Sequence, residues 1–401
     1  MKSILIVGAE GYLGHHVEQH FEGLGWTVHC TGLGDSKRAN YHCLDITARA
    51  DVVRIVQTLR PEIVVHAAGL SSLALCEKEP ERARAVNVGG TRNLIEAIRP
   101  LNNSCKLVFL SSDYVFAGRE GNYAEESERN PQTEYGKTKL TSEDDIRAAL
   151  PNSIILRMSN VYGHGGHFYN FVHGSLAAGR PVELFADTCF TPVSIDYLVR
   201  AMKVIFEKDF SGVLHLAGPE RLSRHEFGLK VAEQLNADAG LVQAVCQPAG
   251  GLIAPDNSLC IRKASALLPL YNPPVIKALH AMAGLFTYPH LHFKDERGLL
   301  HGISQGRNWE EMNYAETRAG TVRGGHYHGK TTEGFYVVRG RLQVWLRPVK
   351  GDACYGFIAE AGDSFLIPPL TVHTFEILED TAWINYLSQA MDNKDPDIRK
   401  A

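Results

Sequence analysis

The chain has 401 residues, 44% of them hydrophobic and 21% charged, with a formal net charge of −4. That length exceeds what one hydrophobic core usually supports, so two folded domains are expected. With no long basic or acidic run it should bind neither nucleic acid nor an anionic membrane surface, and no apolar stretch is long enough to insert into a bilayer. Eight cysteines without a Cys-x-x-Cys pair read as reduced thiols of a cytoplasmic protein.

In chain order, MKSILIVGAEG is apolar only from Ile4 to Val7, which predicts a first strand rather than a signal peptide. Ser3–Val7 reads as a buried strand, His15–Leu24 as a helix closed by Gly25, and Thr27–Thr31 as a second strand. Asp51–Leu59 predicts a helix before Pro61, Ile63–His66 a strand, Ala83–Ala97 a helix and Lys106–Leu110 a strand. This alternation predicts an α/β, doubly wound parallel sheet of the Rossmann type.

Gly8-Ala-Glu-Gly11-Tyr12-Leu13-Gly14 falls between the first strand and the first helix. Glycines there let amides at a helix N-terminus approach a pyrophosphate. Asp45 and Ile46 are candidates for the adenine ring, and Ala67, Ala68 and Gly69 follow the strand ending at His66. Asn87 opens a helix. Tyr135 and Lys139 stand four apart, on one helix face. A free phenol, with a pKa of about 10, is a poor catalyst at neutral pH. A neighbouring ammonium and a nicotinamide cation are expected to lower it. Ser112 would hydrogen-bond the substrate oxygen. Counting from Gly25, the second strand ends near Gly32 without a carboxylate, and Lys37 and Arg38 follow. That favours NADP(H), with NAD(H) the alternative; Asp35 could reach the ribose if the register shifts.

Residues 1–285 resemble extended short-chain dehydrogenases/reductases of the nucleotide-sugar class, above all dTDP-4-dehydrorhamnose reductases. The motifs are SSDYVFAGREGNYAEE, NPQTEYGKTKLTSE, LRMSNVYG and PVSIDYLVRAM. The resemblance implies Ser112, Tyr135 and Lys139 as catalytic residues, and a substrate lobe with Arg157, Asn160 and Val193 near the nucleotide sugar.

Pro269-Leu-Tyr-Asn-Pro-Pro274, a short helix over Val275–Leu285 and then Phe293-Lys-Asp-Glu-Arg-Gly298 mark the boundary. The following run Tyr336–Leu346 is β-branched and aromatic, broken at Arg339-Gly340, and predicts two strands around a tight turn. In a strand His326 and His328 share one face; with Glu333 and His373 they make a ligand set for a divalent transition ion. Zinc is the first choice, and iron, manganese and nickel are compatible.

Gly320, His326, His328, Glu333 and Gly340, then Gly362, Pro368 and His373, match the metal-binding cupin pattern, so 286–395 resembles an all-β cupin barrel. Leu370 and Ile377 stand where that family commonly has Gly and Asn. The domain order resembles capsular-polysaccharide assembly enzymes of the CapF type. It implies a homodimer in which the cupin epimerises C3 of a 4-keto-6-deoxy nucleotide sugar and the dehydrogenase reduces C4. Tyr327, Lys330 and Tyr336 are the residues considered as the cupin base, and none is assignable. Two other readings stay open: a reductase with a structural, dimerising cupin, and a non-catalytic NADP-binding regulatory subunit.

Overall fold

The structure is a computed structural model that describes residues 2–34, 36, 38–101, 104–208, 210–289, 291–296, 298–304, 308–351, 354–391 and 397–400. It divides into two compact units. The first comprises 1–171, 183–227 and 243–268, and the second 172–182, 228–242 and 269–401.

The first unit is built on seven parallel strands. They are β1 (Ser3–Val7), β2 (Thr27–Gly32), β3 (Tyr41–Cys43), β4 (Ile63–His66), β5 (Lys106–Ser112), β6 (Ile154–Met158) and β7 (Gly212–Leu216), in the order β7-β6-β5-β4-β1-β2-β3. Ile4–Val7 and Ile63–His66 are buried along their length, as central strands covered on both faces must be. On one face Leu5, Val7 and Val64 pack with Val52, Ile55 and Val56 of α2 (Arg49–Leu59) and with Leu94 and Ile98 of α3 (Gly90–Ile98). The strand order reverses between β1 and β4, the place where such sheets open a ligand crevice.

The helix expected over Ala83–Ala97 is divided. A short helix, Pro80–Arg84, is followed by a π-turn over Ala85–Gly89 before α3 begins. The wider turn aims Asn87 inward. Its carboxamide accepts the Leu70 amide at 2.7 Å and donates to the Leu70 carbonyl at 3.0 Å and the Thr138 hydroxyl at 2.9 Å. Asn87 thereby fastens the segment after β4 to the helix that carries Tyr135, a use of a π-turn typical of functional sites.

The second unit is mostly strand. β8 (Phe286–Thr287), β9 (Leu291–Asp295), β10 (Gly298–Gly302), β11 (Glu311–Thr317), β12 (Val322–His328) and β13 (Glu333–Arg339) come first. They are followed by β14 (Arg341–Pro348), β15 (Tyr355–Glu360), β16 (Ser364–Ile367), β17 (Thr371–Ile377), β18 (Thr381–Leu387) and β19 (Ile398–Lys400). Two five-stranded antiparallel sheets form, β8-β16-β13-β18-β11 and β15-β14-β17-β12-β19, beside the hairpin β9-β10. The turn expected at Arg339-Gly340 joins β13 to β14, with Gly340 at φ 83°. Alternate residues of each strand face a shared core. Phe335, Val337 and Phe365 from one sheet meet Val344, Phe357 and Phe375 from the other. Phe335 and Phe375 cross edge-to-face at 5.1 Å, a geometry that adds to the burial of both rings.

Candidate functional site

In the first unit, a cleft of about 480 Å³ opens at the carboxyl ends of β1, β4, β5 and β6. Gly11, Tyr12, Leu13 and Gly14 line one wall, Ala67, Ala68 and Gly69 another, and Ser112, Tyr135, Lys139 and Asn160 the floor and far side. Gly8 holds the first turn of the glycine loop at φ 91°, where a Cβ would stand 2.6 Å from the Ala68 backbone nitrogen. Helix α1 (Tyr12–Gly23) begins on Gly11 with no side chain capping its first amides and no acid in its first turn. That leaves free amide donors and a positive helix end, a seat for a pyrophosphate.

Ser112 is the last residue of β5. Its hydroxyl donates to Asp113 Oδ1 at 2.9 Å and accepts the Tyr114 amide at 3.2 Å. Helix α4 (Glu134–Ala149) starts on the Thr133 hydroxyl, which accepts the Gly136 amide at 3.1 Å. A side chain at Gly136 would strike the Tyr114 carbonyl at 2.2 Å, so glycine lets the helix start close on that turn. The close approach brings the Tyr135 phenol beside Ser112. One turn on, Lys139 Nζ donates to the Leu110 carbonyl at 2.9 Å and lies 5.8 Å from the Tyr135 ring centroid.

Electrostatics in this free site differ from the expectation. Burial pushes the Tyr135 phenol up; the Ser112 hydrogen bond opposes that and the Asp113 carboxylate adds to it. Burial likewise pulls Lys139 down to about 8, against the pull of Glu143 and Cys76. The neighbouring ammonium alone therefore does not lower the phenol, because both groups are desolvated together. Asp113 is pushed up to about 6 by burial, with Ser112, Ser159 and Arg224 opposing.

Two expectations need correcting. Arg157 does not line the cleft. It is fully buried, its Nε 3.0 Å from Glu143 Oε1, its Nη2 2.7 Å from Glu143 Oε2 and its Nη1 donating to the Glu125 carbonyl at 2.9 Å. Val193 is also fully buried, paired with Val161. Beside the strand end where the adenosine would lie, Asp45 is exposed and accepts the Thr47 amide at 2.9 Å, and Ile46 is buried. At the end of β2, Lys37 and Asp35 lie outside the described residues, and Arg38 is paired with the buried Glu18.

Arg224 is a cleft residue that sequence reasoning missed. Its guanidinium lies 4.9 Å from the Phe168 ring and 5.2 Å from the Phe190 ring, and hydrogen-bonds Tyr114. No motif in RLSRHEF marks it, since its neighbours Phe168 and Phe190 come from distant stretches of chain.

In the second unit, ligand atoms of His326, Glu333 and His373 lie within 4.8 Å of one another. Strand alternation brings them together: His326 on β12 pairs with His373 on β17, and Glu333 opens β13. His328, the fourth expected ligand, has Nε2 3.4 Å from Glu333 Oε2, and His373 Nε2 stands 3.2 Å from the same oxygen. That oxygen is buried without a satisfying hydrogen bond, so it is an acceptor that could hold a cation. The other oxygen accepts from Asn385 Nδ2 at 3.3 Å. Burial pushes the Glu333 carboxyl up, but His328 and the other two imidazoles bring it below the ordinary value. Burial holds His373 down at about 4, leaving the neutral imidazole that ligates metals. Tyr336 does not enter this group; its hydroxyl is 2.8 Å from His301 Nδ1.

Residues 1–267 match the RmlD substrate binding domain model. The chain belongs to the RmlD family. Among RmlD relatives, the probable low-salt glycan biosynthesis reductase Agl14 of Haloferax volcanii is 31% identical over 60% of this chain and 82% of its own. The β subunit of methionine adenosyltransferase 2 from Xenopus laevis is 28% identical over 63% of this chain and 78% of its own. A dTDP-4-dehydrorhamnose reductase from Bacillus anthracis, solved in complex with NADP, is 26% identical with a TM-score of 0.62. That match covers 71% of this chain and 98% of the reductase. Beyond the RmlD part, residues 293–397 match the polysaccharide biosynthesis C-terminal domain model.

Proposed function

We propose that this RmlD-family chain is a bifunctional nucleotide-sugar enzyme of deoxysugar or surface-polysaccharide biosynthesis. Residues 1–285 reduce the C4 ketone of a 4-keto nucleotide sugar with NADPH. Residues 286–395 are a metal-dependent cupin that epimerises C3, and the protein works as a cytoplasmic homodimer. Among the described residues no helix is long and apolar enough to cross a membrane. The observation that carries the reading is the presence, in one chain, of the Ser112–Tyr135–Lys139 group and the His326–Glu333–His373 group.

A reduced nicotinamide cofactor, its pyrophosphate seated against Gly11–Gly14, would supply the hydride. Tyr135 gives a proton to the C4 oxygen, Ser112 holds that oxygen by a hydrogen bond, and Lys139 stabilises the phenolate left behind. Arg224, held between aromatic rings, offers a cation to an anionic part of the substrate. In the cupin, a divalent ion on His326, His328, Glu333 and His373 would supply positive charge beside the ketone oxygen, which acidifies the C3 hydrogen. Asn385 keeps the Glu333 carboxylate oriented toward that ion. Reduction of C4 then removes the ketone that makes C3 labile, so the two reactions form a sequence.

Elemental analysis of the purified protein, with NADPH oxidation measured against UDP- and dTDP-linked 4-keto sugars, tests the reading. One divalent ion per chain and oxidation with a member of that panel support it. Metal-free protein and no oxidation with any sugar contradict it. The likeness to the methionine adenosyltransferase subunit favours a second reading, a nucleotide-binding regulatory chain. Under that reading NADPH binds and no sugar is reduced.

A further inference from the structure

In a Rossmann sheet the end of β2 meets the adenosine ribose, and the group there discriminates a ribose diol from a 2′-phosphate. Here the strand ends on Gly32, and a carboxylate arrives from the glycine loop instead. Glu10 Oε2 accepts the Leu33 amide at 3.2 Å and the Gly34 amide at 3.4 Å, and its Oε1 accepts the Tyr41 hydroxyl at 2.7 Å. A Cβ on Gly32 would stand 2.6 Å from the Glu10 carboxyl carbon, so the glycine makes room for this group. Two backbone amides and a hydroxyl around one anion are also the donors a phosphate monoester uses. Arg38 acts on the same carboxylate, but its guanidinium is already paired with the buried Glu18 and lies 5.2 Å from the Tyr41 ring.

We propose that Glu10 limits the preference for NADPH over NADH: its carboxylate fills the anion seat at the end of β2, where a ribose diol can donate to it and a 2′-phosphate must displace it. The inference rests on reading the first unit as a nicotinamide-dependent reductase. Charge does the sorting, since a carboxylate accepts from hydroxyls and repels a phosphate. Glu10→Gln keeps the shape and removes the charge. NADPH then competes with a neutral group for the Leu33 and Gly34 amides, while NADH loses an ionised acceptor.

Titration of the cofactor-free protein with NADPH and with NADH, followed by nicotinamide fluorescence, reads binding without turnover. In Glu10→Gln and Glu10→Ala the dissociation constant for NADPH relative to NADH should fall about tenfold. Added salt should move the wild-type ratio the same way by screening the repulsion. Asp35→Asn serves as the control, because Asp35 is the other acid of that stretch. A ratio unchanged in both Glu10 variants, or moved by Asp35→Asn and not by Glu10→Gln, overturns the proposal and leaves the reductase reading intact. Wild-type protein that binds neither nucleotide overturns both.

Discussion

Tyr135 and Lys139 face the cleft one helical turn apart, with Lys139 Nζ 5.8 Å from the phenol ring and held by the Leu110 carbonyl. The helix places the ammonium beside the phenol, while burial opposes ionisation of both groups. Removing the hydroxyl should therefore stop proton transfer and leave the fold. Tyr135→Phe is expected to lower kcat for ketone reduction by about 10²–10⁴-fold, with NADPH affinity changed little. Steady-state kinetics and a fluorescence titration check both halves.

Asp113 gives a pH dependence of stability. Its folded pKa is raised from 3.8 to about 6, so the folded state holds the proton more tightly than the unfolded chain. The sign follows: this group's contribution falls as pH rises from about 4 to about 6, and the penalty is complete above that. Asp113→Asn should then gain about 3 kcal/mol above pH 7 and nothing below pH 4, by the free energy of the shift. Urea denaturation across that range measures it, and a gain independent of pH would contradict it.

Much of the cleft is legible in the sequence because its residues lie in contiguous motifs at strand ends. The glycine loop, Ser112 and the Tyr135–Lys139 pair each follow a strand or share a helix turn, so local geometry places them. Residues whose partners are remote in sequence are not legible. Arg157 follows β-strand residues in a motif that suggests substrate, yet Glu143 on another element takes its guanidinium into the core. Glu10 reaches the end of β2 from the loop after β1, so counting along β2 finds only Gly32. In the second unit, strand alternation makes His326, His328 and His373 readable, but nothing local announces Asp397.

The Arg157–Glu143 pair is fully buried and bidentate. Glu143 also accepts the Ser111 hydroxyl at 2.6 Å, so it sits in a satisfied network. Arg157→Met should destabilise the protein by about 3–5 kcal/mol, because it takes the bidentate partner from a buried carboxylate and leaves it only Arg129 at 3.7 Å and the Ser111 hydroxyl. Normal stability with a raised KM would instead return Arg157 to the substrate.

Asp397 fixes the connection between His328 and Glu333, two of the proposed metal ligands. Its carboxylate accepts the amides of Gly329, Lys330 and Thr331 and the Thr331 hydroxyl, at 3.1, 2.9, 3.0 and 2.9 Å. Those residues join His328 to Glu333, and β19 beyond Asp397 pairs with β12 along His326 and His328. Asp397→Ala and Asn385→Ala should each weaken metal binding by about 10–100-fold, as removal of groups that orient ligands commonly does. Calorimetric titration of chelator-treated protein with zinc measures it. Affinity equal to wild type in both variants would contradict the placement of the site.

The coupling of two chemistries in one chain is tested most directly by deuterium at C3. A 4-keto nucleotide sugar incubated in heavy water with wild-type protein should gain deuterium at C3 and, with NADPH, lose its ketone. Tyr135→Phe should keep the exchange and lose the reduction; His326→Ala should lose the exchange. Exchange that survives in His326→Ala would contradict the metal-centred half of the account, and reduction that survives in Tyr135→Phe would contradict the other.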